Sequence, residues 1–362
     1  MRVGIVGTRG IPNFHGGFEQ FAQYFSEGLV KLGHDVFVYN SHHHPCQEKS
    51  WNGVNLIHCY DPEDKIGTAG QFIYDLNCIF DSRKRDFDIV LQLGYTSSSV
   101  WNWLFPKNVT IITNMDGLEW KRSKYSKPVQ LFLKFAESLA VIFSDQLIAD
   151  SKGIQTYLKD KYNKDSVYIP YGANLFTSPD DNVLKEYHLT PYKYDMLIAR
   201  LEPENSVEEI LDGFVDSNVD REFLVIGNTK TNLGNKLINK YQDKRIRFAG
   251  YINNIEKLNS LRYFSNLYFH GHTVGGTNPS LLEAMASSVF ICAHDNIFNK
   301  AILGEDAKYF SSSEEVHLLV QSELKNLNKK SILSNIEKVS KNYSWDIIIA
   351  QYEVFLKDNL KK

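Results

Sequence analysis

Three loops of this 362-residue chain combine glycines with polar residues in patterns that suit an anionic ligand. The first loop runs from Gly7 to Phe21 and carries Gly16-Gly17 ahead of a helical pattern. The second begins at Arg200, and the third passes through Gly275-Gly276 into a helix that opens at Pro279. Glycines let backbone N–H groups approach a phosphate, arginine offers a fork of donors, and helix N-termini favour negative charge. Together the loops predict a diphosphate site.

Each loop alone also fits a plainer interpretation. Gly16-Gly17 suits a flexible strand–helix connection, and Arg200 suits a surface ion pair. Glu283, predicted on about the first turn of its helix, can accept two ribose hydroxyls or merely stabilise the helix N-terminus. The glycine spacing fits neither the dinucleotide fingerprint nor a P-loop.

The hydrophobic pattern places these loops after short strands of a repeated strand–helix alternation. We predict strands at residues 3–6, 36–39, 89–93, 109–113, 146–149, 167–169, 196–199, 222–226, 247–249, 266–270 and 289–292, and helices at 18–32, 130–143, 207–214, 279–287 and 345–360. The series restarts after a turn-rich segment at 171–181. It therefore predicts an α/β protein of two doubly wound parallel-sheet domains, in which ligands bind at the carboxyl ends of the strands.

Composition limits the class of protein further. The net charge of −3 argues against nucleic-acid binding through a globally basic surface. The four cysteines have no paired spacing, and no apolar run reaches the length of a membrane span. No signal peptide is recognisable, so we expect a cytoplasmic location. His42, His43 and His44 are contiguous and cannot readily all face one ion, so no metal site is predicted.

The chain resembles the family 4 glycosyltransferases, retaining enzymes of the GT-B architecture, over nearly its whole length. The matching segments include Gly16-Gly17, Ala149-Asp150-Ser151, Ile169-Pro170-Tyr171-Gly172-Ala173, Arg200-Leu201, Phe248-Ala249-Gly250-Tyr251, Leu281-Leu282-Glu283-Ala284-Met285 and Tyr343-Ser344-Trp345. The wording GTRGIP, NMDGLEWKR and HGHTVGGTNPSLLEA is most similar to bacterial rhamnosyltransferases of polysaccharide assembly. The resemblance implies two Rossmann-like domains, 1–172 for the acceptor and 173–342 for the nucleotide sugar, facing across a cleft. It also implies that a helix at 343–362 crosses back to the first domain.

The resemblance implies metal-independent sugar transfer with retention, without a cofactor beyond the nucleotide-sugar donor. The best candidate donor is dTDP-rhamnose, and the acceptor is a saccharide or an undecaprenyl-linked saccharide. Arg200 and Asp116 are the expected catalytic residues. The expected donor-binding residues are Gly16, Gly17, Asn205, Tyr251, Ile252, Gly275, Gly276, Thr277, Asn278 and Glu283. The expected acceptor-binding residues are His15, Glu19, Tyr95, Glu119 and Trp120.

Three positions depart from the family pattern. Gly275 stands where the first glutamate of a paired motif is usual, which fits a 6-deoxyhexose donor or a weakened activity. Asn205 replaces a lysine of the diphosphate clamp. The usual first-domain histidine is absent from residues 113–117, where Asp116 is the nearest polar candidate.

Other functions stay open at this point. A UDP- or GDP-hexose is an alternative donor, and a sugar-nucleotide epimerase or a catalytically weakened nucleotide-sugar-binding protein can share the architecture. The basic run Lys121–Lys127 precedes an apolar helix, which suits either a peripheral contact with the inner leaflet of the membrane or a solvated loop.

Overall fold

The computed structural model describes residues 1–14, 16–122 and 125–361, and the chain forms two compact domains. Within the described residues, the first comprises 1–121, 125–171 and 345–361, and the second comprises 172–344 together with Arg122. The sequence places the boundaries at 172/173 and 342/343, whereas the structure divides the chain after Tyr171 and Ser344.

The first domain is built on an eight-stranded sheet. Its strands are β1 (Arg2–Val6), β2 (Asp35–Ser41), β3 (Ser50–Trp51), β4 (Val54–Cys59), β5 (Ile89–Leu93), β6 (Thr110–Asn114), β7 (Gln146–Ala149) and β8 (Val167–Tyr168). Their order is β3-β4-β2-β1-β5-β6-β7-β8, and every pairing is parallel except that of β3 with β4. β5, with sequence IVLQL, is buried throughout, as expected for a parallel strand covered on both faces.

Helices connect these parallel strands. They are α1 (Gly17–Lys31), α2 (Glu63–Ile66), α3 (Gly70–Ser82), α4 (Lys127–Phe143) and α5 (Lys152–Tyr162), with 3₁₀ turns at Gly67–Ala69, Ser99–Leu104 and Glu119–Lys121. α1 buries Phe21, Phe25 and Leu29 at helical spacing, so its apolar face lies on the core.

The second domain contains a six-stranded, all-parallel sheet. Its strands are β9 (Tyr194–Ile198), β10 (Glu222–Ile226), β11 (Ile246–Gly250), β12 (Leu267–His270), β13 (Phe290–His294) and β14 (Lys308–Phe310), in the order β11-β10-β9-β12-β13-β14. The order reverses between β9 and β12. In open parallel sheets such a switch point leaves a crevice at the carboxyl ends of the two strands, where ligands bind.

The helices of the second domain are α6 (Asn182–Glu186), α7 (Val207–Ser217), α8 (Asn232–Lys240), α9 (Ile255–Phe264), α10 (Pro279–Ala286), α11 (Ile297–Leu303), α12 (Ser313–Ser322) and α13 (Lys329–Lys338). Short 3₁₀ turns lie at Pro203–Asn205 and Lys325–Leu327, and a π-helical turn spans Val339–Tyr343. The domain core contains Leu197, Phe214, Phe223, Phe269 and Phe290.

The last helix, α14 (Trp345–Asp358), belongs to the first domain. Its Tyr352 is buried, with ring centroids 5.2 Å from Phe21 and 4.8 Å from Phe25 of α1. Gly28 allows close packing, because a Cβ there would lie 2.3 Å from Ile349 Cδ1. α14 therefore completes the core of a domain whose preceding chain segment ends at Tyr171.

The prediction of two α/β domains with parallel sheets is confirmed. Within the described residues, every helix is too short or too polar to cross a lipid bilayer.

Candidate functional site

Two loops meet at the switch point of the second sheet. The loop after β9 contains Glu204, whose carbonyl oxygen accepts hydrogen bonds from the Thr273 backbone N–H (3.0 Å) and Oγ1 (2.9 Å) of the loop after β12. Gly271 makes this approach possible, since a Cβ there would lie only 2.1 Å from the carbonyl oxygen of Asn205. Two of the three loops predicted to form a diphosphate site, the one that begins at Arg200 and the one that leads to Pro279, are thus joined by hydrogen bonds.

Arg200 lies on the first of these loops. Its side chain is exposed, and its carbonyl oxygen accepts a hydrogen bond from Asn205 Nδ2 at 2.6 Å. Asn205 is itself buried. The Asn205 side-chain amide therefore holds the backbone of the loop that carries Arg200. In the described part of the chain the Arg200 guanidinium has no hydrogen-bond or ion-pair partner, so it can meet an anion.

The glycine loop leads into α10. Gly275 has φ = +133°, a backbone conformation that residues with a Cβ rarely adopt. This gives a physical reason for glycine where the resembled family usually has glutamate. Asn278 caps the helix by accepting a hydrogen bond from Ser280 N at 2.9 Å, and Pro279 occupies its first turn. Gly276 and buried Thr277 lie between Gly275 and Asn278, next to the positive end of the helix dipole.

Glu283 is the fifth residue of α10, which begins at Pro279 as predicted. Its Oε2 accepts a hydrogen bond of 2.7 Å from Arg262 of α9. Arg262 is 1% exposed and also donates to Asn259 Oδ1 (2.6 Å) and Ser280 Oγ (3.1 Å). Glu283 is therefore oriented by a buried guanidinium that the sequence analysis missed. An arginine amid apolar residues of α9 was the available signal.

Histidines at the ends of β12 and β13 also escaped the sequence analysis. His270 ends β12, and its ring stacks on that of His272 with centroids 4.3 Å apart and planes 14° from parallel. His294 ends the adjacent strand β13. Across the described residues, no three His, Cys, Asp or Glu side chains are grouped closely enough to hold a metal ion. The available signal was the HGH sequence that opens the third loop.

Tyr251 and Ile252 follow β11 at the edge of the second sheet, with β10 lying between β11 and β9. Tyr251 is 60% exposed, and its hydroxyl donates to Asn253 Oδ1 at 3.3 Å. The structure thus places this pair two strands away from β9, the strand that precedes the Arg200 loop.

In the first domain, the loop after β1 is fixed by α1. Gly16 precedes the helix and donates its N–H to Asn13 Oδ1 at 3.2 Å, and Gly17 is the first helical residue. Glu19 is buried and accepts hydrogen bonds from the Arg9 N–H (2.9 Å) and Thr8 Oγ1 (3.3 Å). Its carboxylate therefore holds the loop in this structure. His15 lies outside the described residues.

Asp116 follows β6 with φ = +48°, in the left-handed region that aspartate tolerates better than most residues. Its backbone N–H donates to Asn114 Oδ1 at 3.0 Å, and Asn114 Nδ2 donates in turn to Tyr352 of α14 at 3.1 Å. The conformation at Asp116 is thus tied to the C-terminal helix. Strained backbone of this kind is frequent at functional sites.

Two of the residues expected to bind the acceptor, Tyr95 and Trp120, lie within hydrogen-bond distance of the buried carboxylate of Glu137. Trp120 Nε1 donates to Glu137 Oε2 at 3.1 Å, and the buried Tyr95 hydroxyl lies 3.4 Å from the same oxygen. Glu119 precedes Trp120 on the same 3₁₀ turn and is partly exposed. Glu137 also accepts hydrogen bonds from Tyr157, Lys161 and Tyr162. The structure therefore shows Tyr95 and Trp120 as parts of an internal network.

A family model described as "Domain of unknown function (DUF1972)" matches residues 1–174. Among curated proteins no sequence matches the chain.

Solved structures resemble the whole chain at low sequence identity. Sucrose-phosphate synthase from Thermosynechococcus elongatus has a TM-score of 0.79 and 15% identity, covering 99% of this chain and 98% of its own. A glycosyltransferase from Rickettsia africae has a TM-score of 0.70 and 13% identity, and the match covers 99% of this chain and 97% of that chain. HepE from Anabaena, solved with UDP-glucose, has a TM-score of 0.74 and 11% identity, and the match covers 99% of each chain. The chain therefore has the GT-B fold of these glycosyltransferases, as predicted.

Proposed function

We propose that the chain is a nucleotide-sugar-dependent glycosyltransferase whose second domain binds the donor. The observation that carries the proposal is the joined pair of loops at the β9/β12 switch point. They place an exposed arginine, a glycine loop and the start of α10 together. This combination suits a sugar diphosphate, because a guanidinium and backbone N–H groups can stabilise the charge that develops on the leaving diphosphate. The fold shared with glycosyltransferases supports the proposal.

For the finer chemistry, we propose transfer with retention and without a metal ion. Arg200 and the N–H groups of Gly276 and Thr277 stabilise the departing diphosphate, and Glu283 accepts hydrogen bonds from the ribose. Asp116 orients the sugar or the acceptor hydroxyl. The proposed donor is dTDP-rhamnose and the acceptor a saccharide or undecaprenyl-linked saccharide of polysaccharide assembly. A UDP-hexose is the second candidate donor, favoured by the HepE structure with UDP-glucose.

Substitution of Arg200 tests the proposal. The donor is first selected by thermal shift with dTDP-rhamnose, UDP-glucose and GDP-mannose, since a ligand that binds the folded state raises Tm. Arg200→Ala is then expected to lower kcat/KM by about 30- to 1000-fold, equivalent to about 2–4 kcal/mol of transition-state stabilisation. The unfolding temperature should stay near that of the unmodified protein, because Arg200 is exposed.

Arg247→Ala is the matched control. Arg247 lies on β11 of the same domain and pairs with Glu222, so its loss removes a positive charge away from the proposed site. Near-normal turnover by Arg200→Ala, or an equal loss in both variants, contradicts the assignment of Arg200 to the diphosphate.

We also propose a peripheral contact with the cytoplasmic face of the membrane, through α4. Leu131, Phe135 and Ile142 lie on one face of this helix and are 66%, 56% and 67% exposed. The exposed charges of α4 are Lys127 and Lys134, because its one acid, Glu137, is buried. An apolar face flanked by lysines suits an anionic bilayer surface. Ser123 and Lys124 of the neighbouring basic run lie outside the described residues.

Vesicle flotation tests this contact. The protein is expected to float with phosphatidylglycerol vesicles, less with phosphatidylcholine, and less again at high salt. Combined Leu131→Ser and Phe135→Ser substitutions should abolish flotation, whereas Leu318→Ser, which changes an exposed leucine of α12 in the second domain, should not. Absence of flotation with anionic vesicles contradicts the membrane proposal and leaves the transferase proposal standing.

A further inference from the structure

The stacked histidines at the end of β12 have unusual surroundings for polar rings. His270 is 1% exposed, and among the described residues both of its ring nitrogens are buried without a hydrogen-bond partner. His272 is partly exposed, and its Nδ1 is likewise buried and unpartnered. Buried polar atoms without partners are rare in folded proteins, and they call for an explanation in each case.

The position of His272 is fixed from two sides. Its ring lies flat against that of His270, at 4.3 Å between centroids. Its carbonyl oxygen accepts hydrogen bonds from Asn296 Nδ2 (3.0 Å) and Asn299 Nδ2 (3.2 Å), which follow β13. Thr273, the next residue, is held by the loop that carries Arg200. A residue whose backbone is hydrogen-bonded and whose ring is stacked at the switch point is well placed to select a ligand.

Both rings stay neutral around pH 7. Burial lowers the pKa of His270 well below its ordinary value, and neighbouring His272 adds to this effect. Burial, followed by the positive charge of Arg200, lowers the pKa of His272 to about 3. A neutral imidazole carries one N–H. Because Nδ1 of His272 has no acceptor among the described residues, that N–H is best placed on Nε2, at the partly exposed edge of the ring.

We propose that His272 donates its Nε2–H to the diphosphate of the donor nucleotide sugar, beside Arg200, and that His270 is a positioning residue stacked behind it. This inference rests on the proposed function and adds a donor-binding residue to it. An uncharged donor suits this place, because it contributes a hydrogen bond without repelling the Arg200 guanidinium.

Calorimetric titration of the full chain with UDP, dTDP and GDP tests the inference. His272→Phe keeps a flat ring but has no N–H, so binding of the preferred nucleotide should weaken by about 10- to 100-fold, the usual effect of one hydrogen bond to a charged group. His272→Asn retains a donor and should recover part of this loss. His317→Phe, on α12 of the same domain, is the matched control and should bind normally.

His270 is tested by two substitutions that separate stacking from polarity. His270→Phe preserves the stack and removes two unpartnered nitrogens, so it should bind the nucleotide within about threefold of the unmodified protein and unfold at the same or a higher temperature. His270→Ala loses the stack and should bind about tenfold more weakly. Equal binding by both variants contradicts the positioning role.

The outcomes distinguish the inference from the proposed function. If the unmodified protein binds a nucleotide and His272→Phe binds it equally well, the inference is wrong and the proposed function stands. If the unmodified protein binds none of the three nucleotides, both are wrong. The ratio of the nucleotide affinity of the unmodified protein to that of His272→Phe should be the same at pH 5.5 and pH 7.5. A ratio near one at pH 7.5 and a large ratio at pH 5.5 contradicts a neutral His272.

Discussion

Loss of Glu283 should destabilise the second domain, and this effect must be separated from any effect on nucleotide binding. Arg262 is 1% exposed and reaches the Glu283 carboxylate at 2.7 Å. In Glu283→Ala the guanidinium keeps its hydrogen bonds to Asn259 and Ser280 but loses its anionic partner. An uncompensated buried charge is costly, because water no longer solvates it.

The expected magnitude follows from this burial. Breaking a buried ion pair by removing one partner costs about 3–5 kcal/mol. For a domain of this size, each kcal/mol lowers the unfolding temperature by about 2–4 °C, so Glu283→Ala should lower it by roughly 6–20 °C. Removing both charges, in Arg262→Met with Glu283→Leu, should recover most of the loss, since apolar residues of similar volume often replace a buried pair without penalty.

Differential scanning calorimetry and nucleotide titration measure the two effects separately. If Glu283 binds the ribose, the double variant should be stable and still bind the nucleotide weakly. Glu186→Ala, which breaks a surface pair with Lys257 in the same domain, is the control and should leave the unfolding temperature nearly unchanged. An unchanged unfolding temperature in Glu283→Ala refutes the ion-pair reasoning, and normal affinity in the double variant refutes the ribose contact.

Two further predictions concern loop packing and pH. Gly271→Ala places a Cβ 2.1 Å from the Asn205 carbonyl oxygen, so the joined loops should separate. Calorimetry should then show a free energy of unfolding lower by about 1–3 kcal/mol, together with weaker nucleotide binding. Unaltered stability and affinity contradict this packing. Burial raises the pKa of Asp75 to about 7, above the usual value near 4, so the folded state holds a proton that the unfolded chain releases. The free energy of unfolding should therefore fall as pH rises from about 4 to 7, by up to about 4 kcal/mol from this group. Asp75→Asn should flatten that dependence in denaturant titrations, and an identical pH profile opposes the assignment.

The strands predicted most accurately from the sequence are those that are buried on both faces of the parallel sheets. The predicted bounds of 89–93, 146–149 and 222–226 coincide with those of β5, β7 and β10. Such strands are continuous apolar runs between turn residues, so their pattern depends little on the rest of the fold. The glycine loop before Pro279 was recognised for a similar reason, because its signal is local in sequence.

One missed element had a local signal as well. β3 and β4 form a hairpin whose turn residues, Asn52 and Gly53, have φ of +47° and +84°. Asn-Gly is the dipeptide most typical of a two-residue hairpin turn, so this turn was predictable from the sequence even though β3 has only two residues. β14, with three residues at the sheet edge, is too short to give a clear pattern.

The details of the candidate site depended on contacts between residues distant in sequence. The Arg262–Glu283 pair joins two helices, and the contact of Thr273 with Glu204 joins two loops 69 residues apart. No spacing rule in a single sequence predicts such pairs. The role of Asn205 is a further example, because its replacement of a lysine suggested ligand binding whereas its amide holds the loop backbone.

The place of α14 has a consequence for how the chain acquires its structure during synthesis. The second domain is nearly continuous in sequence, from Gly172 to Ser344, so its core is available for folding once those residues leave the ribosome. The first domain, although translated earlier, must wait for Trp345–Asp358 to cover Phe21 and Phe25. The later half of the polypeptide can thus mature first, and a ribosome that stalls before residue 345 leaves the amino-terminal half with an uncovered apolar surface for chaperones to bind.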